Sequence, residues 1–220
     1  MKGDIVIVQA HHEKVACIIV PQIIERITRT KRIYTIAIGG ESGSGKSEIS
    51  LAIYNELKKH GIISVILGQD DYYFLPPKTN SEKRRTDPDW LGPHNEVNLD
   101  LLGKNLSDAR QGKSRITKPL IDYEANKIET QTIDLQDVKV VIAEGTYTLL
   151  LRNIDTKIFI TRNWIQTFED RKKRNRGNEV HDPFTESILV TEHKIIAGYR
   201  YLADFIVDEN YTVTNVGSEI

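Results

Sequence analysis

Residues 33–47 read IYTIAIGGESGSGKS. The β-branched, apolar run Ile33 to Ile38 stops at Gly39-Gly40, as a buried strand does. Gly40-Glu41-Ser42-Gly43-Ser44-Gly45-Lys46-Ser47 then satisfies the pattern G-x-x-x-x-G-K-[ST]. From Ser47 to His60, Ile49, Ala52, Ile53 and Leu57 recur at helical spacing, and Gly61 ends the run. Strand, glycine-rich loop and helix in this order are the context the pattern requires. Glycines let the backbone curl so that successive N–H groups face the β- and γ-phosphates of a nucleotide. The helix adds the positive end of its dipole. Lys46 supplies a point charge to the phosphate oxygens, and the Ser47 hydroxyl can ligand Mg²⁺.

Outward from this core the same rhythm continues. Ile62 to Leu67 reads as a second strand ending at Gly68, and Val138 to Ala143 as a third, closed by Glu144-Gly145. Thr156 to Thr161 and Ala203 to Val207 read as a fourth and a fifth. Helical patterns cover Asn98 to Gln111, Trp164 to Arg176 and Thr185 to Arg200. Alternating strands and helices imply right-handed crossovers and an α/β fold, a five-stranded parallel sheet covered on both faces. Ligands of such sheets bind at the carboxyl ends of the strands. Pro76, Pro77, Pro88 and Pro93 mark Leu75 to Asn95 as irregular, long enough for a lid or a binding loop. Residues 1–32 stand apart as an N-terminal extension to a nucleotide-binding domain spanning 33–220. Glu13 to Lys31 has helical character that Pro21 is expected to break. Packing on the core and contact with another copy in a homo-oligomer both stay open as its role.

Composition narrows the function classes. A net charge of −1 over 220 residues leaves no global basic field for nucleic acid. The longest apolar runs, such as Ala16 to Pro21, are too short to span a bilayer. The first ten residues lack the pattern of a signal peptide, so a cytoplasmic location is the expectation. The single Cys17 can form no internal disulfide and is expected to be a small buried residue. His11, His12 and His60 read as surface residues, and His94 and His181 as solvated ones in irregular segments.

Chemistry-bearing residues fall where strands stop. Asp70, in Gly68-Gln69-Asp70-Asp71-Tyr72-Tyr73, follows the second strand at the rim of the phosphate loop, where it can orient or deprotonate an attacking hydroxyl. Glu144, at the tip of the third strand, is placed to hold Mg²⁺, directly or through water. Arg171, Lys172, Lys173, Arg174 and Arg176 form a basic cluster. It reads either as a solvated face or as an arginine lid for a transferring phosphoryl group. Helical spacing puts Arg171 and Arg174 on one face.

Taken in order, these segments resemble the uridine kinase and phosphoribulokinase group of P-loop kinases, which also includes bacterial-type pantothenate kinase. The resemblance runs over about residues 33–210. GQDDYYF is similar to the group's Q-D-S-F-Y, KPLIDYEAN to its P-x-Y-D-F, and VVIAEGTYTL to its apolar run ending in E-G. FEDRKKRNRG resembles its lid, and LADFIVDEN its last strand. The resemblance implies ATP as donor with Mg²⁺, a small-molecule hydroxyl as acceptor, and an excursion closing over that acceptor. It implies Asp70 as catalytic base, Tyr73 as a pocket tyrosine, Glu144 as the acid near Mg²⁺, and Arg171 and Arg176 as lid arginines. Asp122 and Tyr123 fall on the acceptor-binding segment, where Asp122 can hold a substrate hydroxyl. Two positions depart from the uridine kinase pattern. Leu91 stands where an aspartate reads the ribose, and Glu124-Ala125-Asn126 where a histidine reads the pyrimidine. A uridine-like nucleoside is the leading acceptor, with pantothenate, glycerate or a sugar phosphate as alternatives. A nucleotide-dependent switch is disfavoured, because no N-K-x-D guanine motif is present. Intact Lys46, Ser47, Asp70 and Glu144 argue against a binding protein without catalysis.

Overall fold

The structure is a computed structural model that describes residues 6–168 and 182–217. Strand β1 (Tyr34–Gly40) is buried along its whole length, as a parallel strand covered on both faces must be. It lies between β5 (Val140–Glu144) and β6 (Thr156–Ile160), parallel to both. Beyond β5 comes β2 (Ser64–Gly68), and beyond β6 comes β7 (Phe205–Val207), again in parallel. A sixth strand, β8 (Val213–Asn215), closes the edge antiparallel to β7, giving the order β2-β5-β1-β6-β7-β8. The five parallel strands match expectation; the antiparallel edge is an addition.

Alternation along the strands divides the core. Ile36, Ile38, Val140 and Ile142 join one cluster with helices α1 (Ala10–Arg29) and α2 (Lys46–Lys59). Val141 and Ala143 join a second with α4 (Leu99–Arg110), whose Leu102, Leu106 and Ala109 are buried. Helix α1 runs unbroken through Pro21, against expectation. Proline removes one backbone bond and costs about 3 kcal/mol or more in a helix interior. Val15, Ile19, Ile23 and Ile27 offset this: they repeat every fourth residue and are fully buried. Each is worth about 1.5–3 kcal/mol. Two further expectations fail on this helix. Cys17 is exposed, its Sγ 3.6 Å from Glu56 Oε2. His12 is buried, its Nδ1 accepting from Gln9 N at 3.1 Å and its ring edge-on to Tyr211.

Residues 75–95 are more regular than expected. Pro77 opens α3 (Pro77–Thr86), and a 3₁₀ turn follows at Pro88–Trp90. Proline is well suited to a first helical turn, where its missing N–H has no partner to lose. Residues 115–134 form an antiparallel hairpin, β3 (Arg115–Asp122) and β4 (Lys127–Asp134), that is a sheet of its own. Helix α5 (Pro183–Ile196) begins at Asp182, whose side chain accepts from Phe184 N. Among the described residues, no helix is long and apolar enough to cross a membrane.

Candidate active site

The phosphate loop connects the end of β1 to the start of α2. Gly45 caps the helix at φ 102°, a left-handed conformation that suits glycine. Lys46 Nζ curls back to donate to Glu41 O at 2.8 Å, so the lysine lies over the loop. The Ser44 hydroxyl is buried without a hydrogen-bond partner among the described residues. An orphaned donor inside a curl of backbone N–H groups at a helix N-terminus fits a nucleotide phosphate. Glu41 belongs to the loop through its backbone alone. Its carboxylate accepts from Trp164 N at 2.6 Å and pairs with His193 Nδ1 at 2.5 Å. Burial pushes that carboxyl up, against the pull of His193.

Glu144 ends β5, in register with Gly68 at the end of β2 and Ile38 in β1. Ser47 Oγ lies 3.4 Å from Glu144 Oε2. Burial, and then repulsion from Asp70, push the Glu144 carboxyl up to about 7. Two carboxylates and a hydroxyl drawn together at this expense fit a hard divalent cation such as Mg²⁺, which takes oxygen ligands. No group of three or more His, Cys, Asp or Glu side chains suited to a metal occurs among the described residues.

Asp70 sits in the 3₁₀ turn Gln69–Tyr72, directly after β2. Its turn is wedged from below. Gln69 is fully buried and its Oε1 accepts from Tyr147 N at 2.7 Å. A Cβ on Gly145 would fall 2.2 Å from the Gln69 Cβ, so glycine alone admits this contact. Tyr73 pairs with Val97 in an isolated bridge, and Asn98 N donates to Tyr72 O at 2.8 Å. The excursion 74–96 is thereby stitched back onto the strand end that carries Asp70. Burial, then Glu96, raise the Tyr73 phenol well above its ordinary value.

Several residues that sequence reading missed complete the surroundings. Arg84 Nε donates to the fully buried Glu96 at 2.7 Å; Asn80 Nδ2, Gly92 N and Tyr147 OH also donate to Glu96, each at 3.3 Å. Glu192 of α5 accepts from Ser42 N at 3.1 Å, and from Ser42 Oγ and Thr146 Oγ1 at 3.0 Å each. The signals were there as charged residues in otherwise apolar or polar runs, but nothing local marks them as buried.

At the hairpin tip, Asp122 Oδ1 accepts from Ala125 N at 2.9 Å, closing its own turn, while Tyr123 is exposed. Asn126 holds the start of α3: its Oδ1 accepts from Lys78 N at 2.9 Å, and its Nδ2 donates to Thr79 Oγ1 at 3.3 Å. A cavity of about 560 Å³ opens beside Ser47, Gly68 and Glu144, reaching Asp71, Lys118 and Leu120 under the hairpin. Neither Asp122 nor Tyr123 lines it. Arg171, Arg174, Arg176 and His181, with Trp164 to Arg176 beyond Phe168, lie outside the described residues.

A phosphate loop at the end of a central parallel strand, with Glu144 ending the adjacent strand and Asp70 in the turn after the next, is the arrangement of a P-loop nucleotide-binding fold. Residues 35–193 match the sequence profile of the Phosphoribulokinase / Uridine kinase family, and the chain belongs to it. The uridine kinase of Staphylococcus aureus (strain JH9) is 30% identical over 184 residues, covering 79% of this chain and 86% of that protein. The bifunctional α-galactosidase/sucrose kinase AgaSK of Mediterraneibacter gnavus is 28% identical over 81% of this chain, a match spanning 20% of that protein. Two solved structures share the fold. D-glycerate 3-kinase from Cryptococcus neoformans has a TM-score of 0.60 at 13% identity, covering 94% of this chain and 99% of that one. Phosphoribulokinase from Rhodobacter spheroides has a TM-score of 0.60 at 14% identity, covering 81% and 71%. The chain is a kinase of this family.

Proposed function

We propose that this kinase transfers the γ-phosphate of ATP, as its Mg²⁺ complex, to a hydroxyl of a small molecule in the cytoplasm. The observation that carries the reading is the convergence of Asp70 and Glu144, from the ends of β2 and β5, on the phosphate loop at the end of β1. MgATP would supply the phosphoryl group. The backbone N–H groups of the loop Gly40 to Ser47 and the Lys46 ammonium would hold its phosphates, and Ser47 with Glu144 would hold the cation. Asp70 accepts the proton of the acceptor hydroxyl as its oxygen forms the bond to phosphorus and the bond to ADP breaks. Arg171, Arg174 and Arg176 add positive charge around the transferring group in this reading.

For the acceptor, the hairpin tip favours a non-nucleoside such as a sugar or glycerate. Asn126 and Asp122 are engaged in holding α3 and the turn, and Leu91 carries no polar group for a ribose. A uridine-like nucleoside is the second reading, favoured by the 30% identity to a uridine kinase. The test is ADP release from MgATP with uridine, cytidine, pantothenate, glycerate, D-fructose, D-ribose, sucrose and pentose phosphates. Turnover with one or more supports the kinase reading and selects the acceptor class. Silence across the panel overturns it.

A further inference from the structure

Helix α5 buries a stripe of Leu189, Glu192 and Ile196, spaced three and four residues apart. Packing alone asks for an apolar side chain at the middle position, and a buried carboxylate there is unfavourable unless donors complete it. The donors come from two strand ends. Ser42, in the phosphate loop after β1, donates from its backbone N to Glu192 Oε1 at 3.1 Å and from its hydroxyl to both carboxylate oxygens at 3.0 Å. Thr146, two residues beyond Glu144 at the end of β5, donates to Oε1 at 3.0 Å. A carboxylate accepts at both oxygens and offers no donor of its own, so all three groups can converge on it.

The neighbouring residues repeat the grip. Glu41 pairs with His193 of α5 and accepts from Trp164 N, so both Glu41 and Ser42 are held from outside the loop. The Glu41 carbonyl is also where the loop closes on itself, accepting from Ser44 N at 3.0 Å and from Lys46 Nζ at 2.8 Å. The hold of Glu192 on Ser42 therefore acts on the peptide next to the anchor of Lys46. A negative side chain beside an anion-binding loop gains nothing from phosphate directly. What it can supply is a loop whose shape is set before the nucleotide arrives, which lowers the ordering cost of binding.

We infer that Glu192 is a positioning residue for the nucleotide: it ties the first turn of the phosphate loop to the turn behind Glu144, and holds both in the shape that receives the phosphates. Glycine and the helix start shape the loop, and Glu192 fixes where its first turn sits. It acts through Ser42 and Thr146. The inference rests on the nucleotide-binding part of the kinase reading above.

The experiment titrates wild type, Glu192→Ala, Thr146→Val and the double variant with MgATP at equilibrium, and follows Tm alongside. Glu192→Ala is expected to weaken MgATP binding about tenfold or more, as loss of hydrogen bonds to a charged group predicts, and Thr146→Val about threefold. The double variant is expected to bind no more weakly than Glu192→Ala, because Thr146 acts through Glu192. With the best acceptor of the panel, the KM for ATP should follow these changes while the acceptor KM stays within about twofold. If Glu192→Ala does not fold, Glu192→Gln, which keeps the shape and an oxygen for Ser42 N, takes its place with an expected loss of about threefold. A lower Tm with MgATP affinity within about twofold of wild type in every variant makes Glu192 a purely structural clamp and overturns the inference. Additive losses in the double variant overturn it as well. If wild type binds MgATP yet turns over no acceptor, the kinase reading falls while the inference stands on the affinities; if wild type does not bind MgATP, both fall.

Discussion

The two halves of the site are built in different ways. On the proposed nucleotide side, the phosphate loop comes from the eight consecutive residues Gly40 to Ser47, and its geometry follows from glycine and a helix start. On the proposed acceptor side the wall is assembled from the turn after β2, the excursion carrying α3 and the hairpin. It is held by contacts between distant residues, such as Arg84–Glu96 and Lys118–Asp71. A local device can be kept while an assembled wall is rebuilt, and relatives of this chain are named for uridine and sucrose while a solved structure of the same fold is named for glycerate.

That contrast can be broken at several points. The largest effect is expected from Glu96→Gln, which strands Arg84 and weakens four hydrogen bonds. A loss of about 3–5 kcal/mol in stability, read as a lower Tm, is the expected outcome. Unchanged stability would show that the excursion does not depend on this pair. Lys46→Ala should instead leave Tm nearly unaltered and lower kcat by about 10²–10³-fold, the cost of one lost cationic partner in the transition state. A Tm loss as large as that of Glu96→Gln would contradict the division into a local half and an assembled half.

A third prediction concerns the far end of the sheet. Burial pushes the Asp155 carboxyl up, but hydrogen bonds from Arg32, Thr35 N and Arg110 outweigh it and hold the group at about 2. An unfolded aspartate titrates near about 3.9. The stabilisation is therefore complete above about pH 4 and is lost as pH falls toward 2. Asp155→Asn should remove up to about 2 kcal/mol at pH 7 and flatten the acid limb of the stability curve in urea melts. An acid limb as steep as that of the wild type would assign the pH dependence elsewhere. The smallest effect is expected at the hairpin tip, where Asn126→Ala removes two hydrogen bonds to α3. About 1 kcal/mol of stability and a modest change in acceptor KM are expected, because each neutral bond has a small net value.

Legibility in the sequence followed the same divide. The parallel strands could be read because apolar runs such as Val140 to Ala143 are buried on both faces and carry their own signal. Asp70 and Glu144 could be singled out because each follows such a run directly. The hairpin could not, since β4 is exposed nearly throughout and shows no apolar alternation to betray a strand. Helix α3 was hidden for a related reason: Asn80 is its one buried residue, so it has no apolar stripe, and its prolines suggested irregularity. The continuity of α1 was hidden by Pro21, whose local penalty is overridden by a buried face on the opposite side. Glu192 and Glu96 look like ordinary surface glutamates until tertiary structure closes around them. Tertiary contact, not local pattern, decides what those residues do.

The most direct test of the central claim is Asp70→Asn, measured twice: by equilibrium titration with MgATP and by ADP release with the best acceptor. A base at the end of β2 predicts nucleotide affinity within about twofold of wild type and kcat lowered by about 10²–10⁴-fold. Unaltered turnover with Asn at position 70 would contradict it, and with it the assignment of Asp70 as the group that activates the acceptor.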